Sequence, residues 1–352
     1  MPDAFINRIA TANPPHDVHD AFLRFGQLML KADSRRLALF NRMAERSGIT
    51  HRYSFLQPEN GGAVDTEGFY RSGGFPDTAA RMKKFEAWAP GLAVEAVEKL
   101  LDGEDRAAIT HVIVTSCTGF SAPGLDLALV ERCGLAPSVE RTMVGFMGCY
   151  AAINALKLAR HIVRSDPRAR VLAVNLELCT LHLHETADME EILSFLLFAD
   201  GCAAALVSAD PKGVAMESFH AALVPNTSEL IRWHIRQQGF DMVLSGAVPS
   251  AIRRALAEAR DAILGGANNI ELWAVHPGGR TVLDAVEQAF ALPARALAAS
   301  RSVLNDYGNM SSGTVMFVLD CIMRSGEGGR RGCAMSFGPG LVAETMMFHM
   351  AA

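Results

Sequence analysis

The chain has 352 residues, half of them hydrophobic and a fifth charged, with a formal net charge of −5. That length exceeds one small core, and the composition is that of a globular enzyme rather than a disordered or membrane chain. Mild acidity without a long Lys/Arg run excludes a polyanion as the main partner, so no nucleic acid is expected.

Met1 to Pro15 lacks the unbroken apolar region of a signal peptide. No apolar run reaches the ~18 residues of a membrane span. The seven cysteines, Cys117, Cys133, Cys149, Cys179, Cys202, Cys321 and Cys333, form no C-x-x-C pair. A disulfide framework or a metal site is therefore not expected, and a reducing, cytoplasmic setting is.

In chain order, the stretch from Phe22 to Ser47 carries apolar residues at helical spacing, and 59–76 reads as a Gly-rich loop. The pattern then predicts a helix over 90–101 and buried strands at 111–116, 171–175 and 202–208. The Asp210-Pro-Lys-Gly213 turn divides the chain into an N-terminal half, 1–212, and a C-terminal half, 213–352. Beyond it, a strand at 214–224, a helix at 249–264 and a strand at 270–275 are predicted, followed by helices at 282–290 and 312–324. Strands at 332–337 and 345–350 close the chain. Both halves alternate strands with helices, which predicts an α/β protein of two layered units packed as a pair.

Three junctions carry chemistry. Two glycines lead into Cys149, and the Ala/Leu/Ile-rich segment that follows predicts a buried helix with its N-terminus at the thiol, a setting that favours thiolate. His276 ends an apolar strand and opens a Pro-Gly-Gly turn, so the strand fixes the ring while the turn leaves room for a ligand. Asn309 follows Gly308 and precedes a run of small residues that opens a helix. Cysteine can accept an acyl group, and His and Asn can both donate to a developing oxyanion, a combination suited to thioester chemistry and Claisen condensation.

With these blocks stand Ile9-Ala-Thr-Ala-Asn-Pro-Pro15, Phe198-Ala-Asp-Gly201, His276-Pro-Gly-Gly279, Gly308-Asn-Met-Ser-Ser312 and Phe337-Gly-Pro-Gly340. Together they resemble the type III polyketide synthases of the chalcone-synthase superfamily, nearly end to end. The resemblance implies a thiolase fold of two similar αβαβα halves and a homodimer. It also implies acyl-CoA and malonyl-CoA as substrates, without metal or organic cofactor. Cys149 would carry the starter, with His276 helping to hold it as thiolate. His276 and Asn309 would hold the malonyl thioester as it loses carbon dioxide. The chain lacks the His-Gln-Ala-Asn and Gly-Asn-Thr-Ser patterns of the related ketoacyl-ACP synthase III enzymes, which remain the alternative, with a non-catalytic thiolase-fold subunit as another.

The same resemblance makes Phe198 a gatekeeper between CoA tunnel and cavity, with Met242 or Phe240 as the second. Arg42 and Arg46 match CoA-phosphate positions, while Leu39 stands at a usual lysine. Cys117, Cys179, His182, Trp233 and Ser311 match cavity positions, with Trp233 at a usual glycine. These departures from the plant pattern favour an aliphatic starter and alkylpyrone or alkylresorcinol products, with malonyl-only products next.

Overall fold

The protein is described by a computed structural model covering residues 3–59, 64–267, 269–326 and 328–351. Its main strands are β1 (Phe5–Ala12), β2 (His111–Ser116), β3 (Glu140–Gly145), β4 (Val171–Leu178), β5 (Asp200–Ser208) and β6 (Val214–Leu223). A separate hairpin follows, formed by β7 (Ile231–Arg236) and β8 (Gly239–Leu244). The chain then supplies β9 (Leu272–Val275), β10 (Arg331–Gly338) and β11 (Val342–Met350).

Nine of these strands form one sheet in the order β9-β10-β11-β6-β1-β5-β4-β2-β3. Strands β1 to β5 make one wing, and β6, β9, β10 and β11 the other. The wings join where Phe5 and Ile6 pair with Ala215 and Val214. Strands β4 and β5 are buried along their whole length, which is why residues 171–174 and 202–207 read as apolar runs rather than as alternation.

The longer helices are α1 (His19–Met29), α2 (Ser34–Arg46), α3 (Thr78–Leu100), α4 (Leu125–Arg132) and α5 (Ala151–Ser165), then α6 (Val248–Leu264), α7 (Arg280–Phe290), α8 (Ala298–Tyr307) and α9 (Thr314–Arg324). Helix α3 covers the outer face of the first wing through Phe85, Ala89, Leu92 and Ala96. Helices α6 and α7 cover the second through Ile252, Leu256, Leu283 and Val286. Between the wings, Ile153 and Leu156 of α5 and Val315, Val318 and Leu319 of α9 share a core with Ile6, Val214 and Met346. The layers therefore run helix, sheet, helix, sheet, helix.

Helix α3 begins well before the predicted 90–101, and Pro90 lies inside it. Asp77 caps its start by accepting from the Ala80 N–H, and the apolar face against the first wing outweighs the one backbone bond that proline removes. The expected loop 59–76 is irregular where described, held by bridges between Pro58 and Asp65 and between Arg71 and Gly74; residues 60–63 lie outside the described residues. Strands β1 and β3 and the hairpin have no counterpart among the predicted elements.

Candidate active site

Both central helices begin at one place. A single 3-10 turn, Gly148–Tyr150, carries Cys149 into α5, and another, Ser311–Gly313, leads into α9. The first turn takes a left-handed backbone at Gly148, with φ of 75°. A Cβ there would also stand 2.3 Å from Pro339 Cδ, so glycine lets the 337–340 loop close against the turn that carries the nucleophile.

Strand β9 delivers His276, whose backbone N–H donates to the Met335 carbonyl at 2.7 Å. The ring is buried, and neither nitrogen has a hydrogen-bond partner among the described residues. Burial pushes its pKa down to about 3, leaving a neutral imidazole at pH 7. Buried polar atoms are nearly always paired, so an unpaired ring beside a loop is poised for a ligand.

Asn309 is anchored on both sides of its amide. Its Nδ2 donates to the Gly278 carbonyl at 3.3 Å and its Oδ1 accepts from the Ser311 N–H at 2.9 Å. Ser311 Oγ in turn lies 3.6 Å from Cys149 Sγ. Polar contacts therefore run from the loop after His276, through Asn309 and Ser311, to the thiol. Burial pushes the Cys149 thiol up to about 12; the Ser311 hydroxyl opposes this and the Glu177 charge adds to it. Burial is the largest cause of that rise and works against the helix-start effect expected from sequence.

A cavity of ≈ 40 Å³ sits on Cys149, with Cys117, Cys179, His182, Phe198, Trp233, Met242 and Ser311 in its wall. Trp233 faces Met242 across the hairpin, and its Nε1–H donates to the Cys117 carbonyl at 2.7 Å. His182 Nε2 bonds the Thr118 carbonyl at 2.7 Å while its Nδ1 accepts from the Phe240 N–H, which fixes the Nε2–H tautomer. Phe240 stacks on that ring at 4.1 Å, and of the two gatekeeper candidates on the hairpin it is Met242 that lines the cavity.

Arg42 and Arg46 lie apart from Cys149, on a wider cleft of ≈ 530 Å³ that also includes Leu39, Leu197, Gly278 and Arg280. Leu197 lines the cleft while its neighbour Phe198 lines the cavity. Arg280, not singled out from sequence, adds a third cation and donates to the Arg46 carbonyl at 3.4 Å.

Glu177 was also missed. Fully buried on β4, it accepts from Ser312 Oγ at 2.5 Å and from the Cys117 N–H and Thr118 Oγ1 at 2.9 Å each. Its signal in the sequence is a lone carboxylate, next to the last position of a strand that is otherwise apolar but for Asn175.

Residues 4–211 match the model for the chalcone and stilbene synthases' N-terminal domain, and 215–352 the model for their C-terminal domain. The chain belongs to the chalcone and stilbene synthase family. This chalcone-synthase-like chain is 34% identical to bisdemethoxycurcumin synthase of Oryza sativa subsp. japonica, over 98% of its length and 92% of that protein's. It is 33% identical to the alpha-pyrone synthesis polyketide synthase-like Pks18 of Mycobacterium tuberculosis, over 98% and 91%. PKS-I from the brown alga Ectocarpus siliculosus superposes with a TM-score of 0.89 at 29% identity, covering 99% of each chain. The type III polyketide synthase domain of Steely1 from Dictyostelium shares the fold, with a TM-score of 0.91 at 24% identity over 99% and 100% of the two chains. The protein is thus a type III polyketide synthase of the thiolase fold and an acyltransferase, which sets aside the ketoacyl-ACP synthase III alternative.

Proposed function

We propose that Cys149 takes an acyl group from CoA, that malonyl-CoA extends it by repeated decarboxylative Claisen condensation, and that the product leaves after cyclisation. What carries the reading is the meeting of Cys149 and Asn309 through Ser311 at the heads of the two central helices, with the unpartnered His276 ring beside Gly278, whose carbonyl accepts from Asn309. The Cys149 sulfur attacks the starter thioester carbonyl, and CoA departs as its thiol. The malonyl thioester oxygen then accepts from a His276 N–H and from Asn309 Nδ2–H. Loss of carbon dioxide leaves its electron pair as an enolate held by those two donors. The enolate carbon attacks the Cys149-bound acyl carbonyl, and the cysteine sulfur is the leaving group. A depressed imidazole pKa suits this role, since the ring donates as a neutral group in a buried site.

In this proposal CoA thioesters are the substrates, and no metal or organic cofactor takes part. Arg42, Arg46 and Arg280 would hold the CoA phosphates. Residues 1–212 and 213–352 act as the two thiolase-like halves of each protomer, and the active form is a cytoplasmic homodimer. No helix among the described residues is long and apolar enough to cross a membrane.

For the product we carry over the class in the name of the Mycobacterium relative, an α-pyrone, here an alkylpyrone built on an aliphatic starter, with an alkylresorcinol as the product of the other ring closure. A second reading, in which malonyl-CoA also supplies the starter, is favoured by the ≈ 40 Å³ beside Cys149, room for only a short chain. Incubation with malonyl-CoA and acyl-CoAs of graded length, read by mass spectrometry, separates them. Cys149→Ala is expected to abolish condensation; product from that variant would show that another group is the nucleophile.

A further inference from the structure

Behind the site lies a cation that the chemistry above does not use. Arg52 is fully buried. Its guanidinium donates to neutral partners: Nε to His19 Nδ1 at 3.1 Å, Nη2 to the His19 carbonyl at 3.3 Å and Nη1 to the Phe198 carbonyl at 3.4 Å. Burial, and next the Arg52 charge, push His19 down to about 4, so its ring is a neutral acceptor. Burial also lowers Arg52, to about 9, against the pull of Asp17, and the guanidinium stays charged at neutral pH. Taking a charge out of water is costly, and a cation kept there with neutral partners calls for a reason.

Its neighbours supply one. Phe198 and Asn309 form a parallel bridge, with the Asn309 N–H donating to the Leu197 carbonyl at 2.8 Å and the Ala199 N–H to the Asn309 carbonyl at 3.0 Å. Arg52 touches both sides of that bridge. Its head holds the Phe198 carbonyl, and its stem lies so close to Gly308 that a Cβ there would stand 2.7 Å from Arg52 Cγ.

We propose that Arg52 is a positioning residue for Asn309: its fork fixes the bridge that carries the amide, and its charge stands behind the groups that meet the malonyl thioester oxygen. The proposal rests on the reading of Asn309 given above. It predicts a role in decarboxylation and condensation and none in loading Cys149.

The test measures starter loading on Cys149 by intact-protein mass spectrometry, and carbon dioxide release from malonyl-CoA per acylated site, so that misfolded protein does not count. In Arg52→Met, loading within about twofold of wild type and carbon dioxide release down about tenfold or more, at nearly unchanged KM, is the expected result. Arg52→Lys, which keeps the charge, is expected to recover part of the loss. Wild-type release from Arg52→Met, or loading and release falling by the same factor, overturns the proposal. If Arg52→Met yields no folded protein, His19→Leu, which removes the Nε acceptor, is read the same way: release lowered with loading kept supports it, and unchanged release overturns it. Asn309→Ala is the control for the underlying reading. Wild-type release from that variant would fault the assignment of Asn309 itself, whatever Arg52 does.

Discussion

Glu177 sits one hydrogen bond from Ser312 and holds the Cys117 backbone, yet burial raises its carboxyl from 4.5 to about 7 against the hydrogen bonds that lower it. The sign of its linkage follows directly. Between those values the unfolded chain has lost a proton that the folded protein keeps, so this group's contribution falls as pH rises through the window, and its cost is complete above about 7. Asp200, likewise raised to about 7, acts in the same direction. His19, His182 and His276, all depressed by burial, act in the opposite direction below their usual range. Glu177→Gln isolates one contribution from these. The difference in melting temperature between variant and wild type is expected to grow from pH 4.5 to 7 and then level off; parallel curves across that range would show that the carboxyl does not titrate there. Cys149, His276 and Asn309 were legible in the sequence because glycine and proline punctuate the loops that carry them. Glu177 and Arg52 were not, because nothing local to a charged residue says that the fold will bury it.

At the level of elements, the β7–β8 hairpin sets the size of the chamber. Cross-strand pairing puts Trp233 opposite Met242, so one indole and one flexible thioether share the cavity wall. Trp233→Gly removes the indole and its bond to the Cys117 carbonyl, at a cost of about 2–4 kcal/mol in stability. The enlarged space is expected to shift turnover toward longer acyl-CoA starters by about tenfold relative to short ones. An unchanged starter-length profile would place the chain-length limit elsewhere. The hairpin carried a period-two signal, Ile231, Trp233 and Ile235 alternating with Arg232, His234 and Arg236, but its turn is Gln237-Gln238 rather than Asn-Gly, so no local turn signature marked it. Strand β3 was hidden for a different reason: it is mostly exposed, so it lacks the apolar pattern that marked its buried neighbours. Helix α3 was cut short at Pro90 because proline reads locally as a boundary, while its packing on the sheet is a tertiary effect.

For the whole molecule, the alternation of strands and helices made the layered architecture readable, whereas which edges and apolar surfaces stay exposed had to come from the structure. Strand β3 ends the sheet, bonded to β2 on one side with its other edge open, and an open edge is a template for another strand. Around it Phe120, Met143 and Met147 are 37% to 39% exposed, an apolar group beside an unpaired edge. Met147 lies two residues before Cys149, so a partner seated on this edge would press on the loop that carries the nucleophile. Edge pairing between two copies would bury the methionines and join the two sheets into one, linking dimer formation to the geometry of the site. Met143→Glu puts a charge on that contact without touching the cavity wall. By light scattering coupled to gel filtration, wild type is expected at twice the chain mass and the variant at once, with condensation reduced in step with the loss of dimer. A monomeric wild type, or a variant that stays dimeric with full activity, would move the interface away from β3.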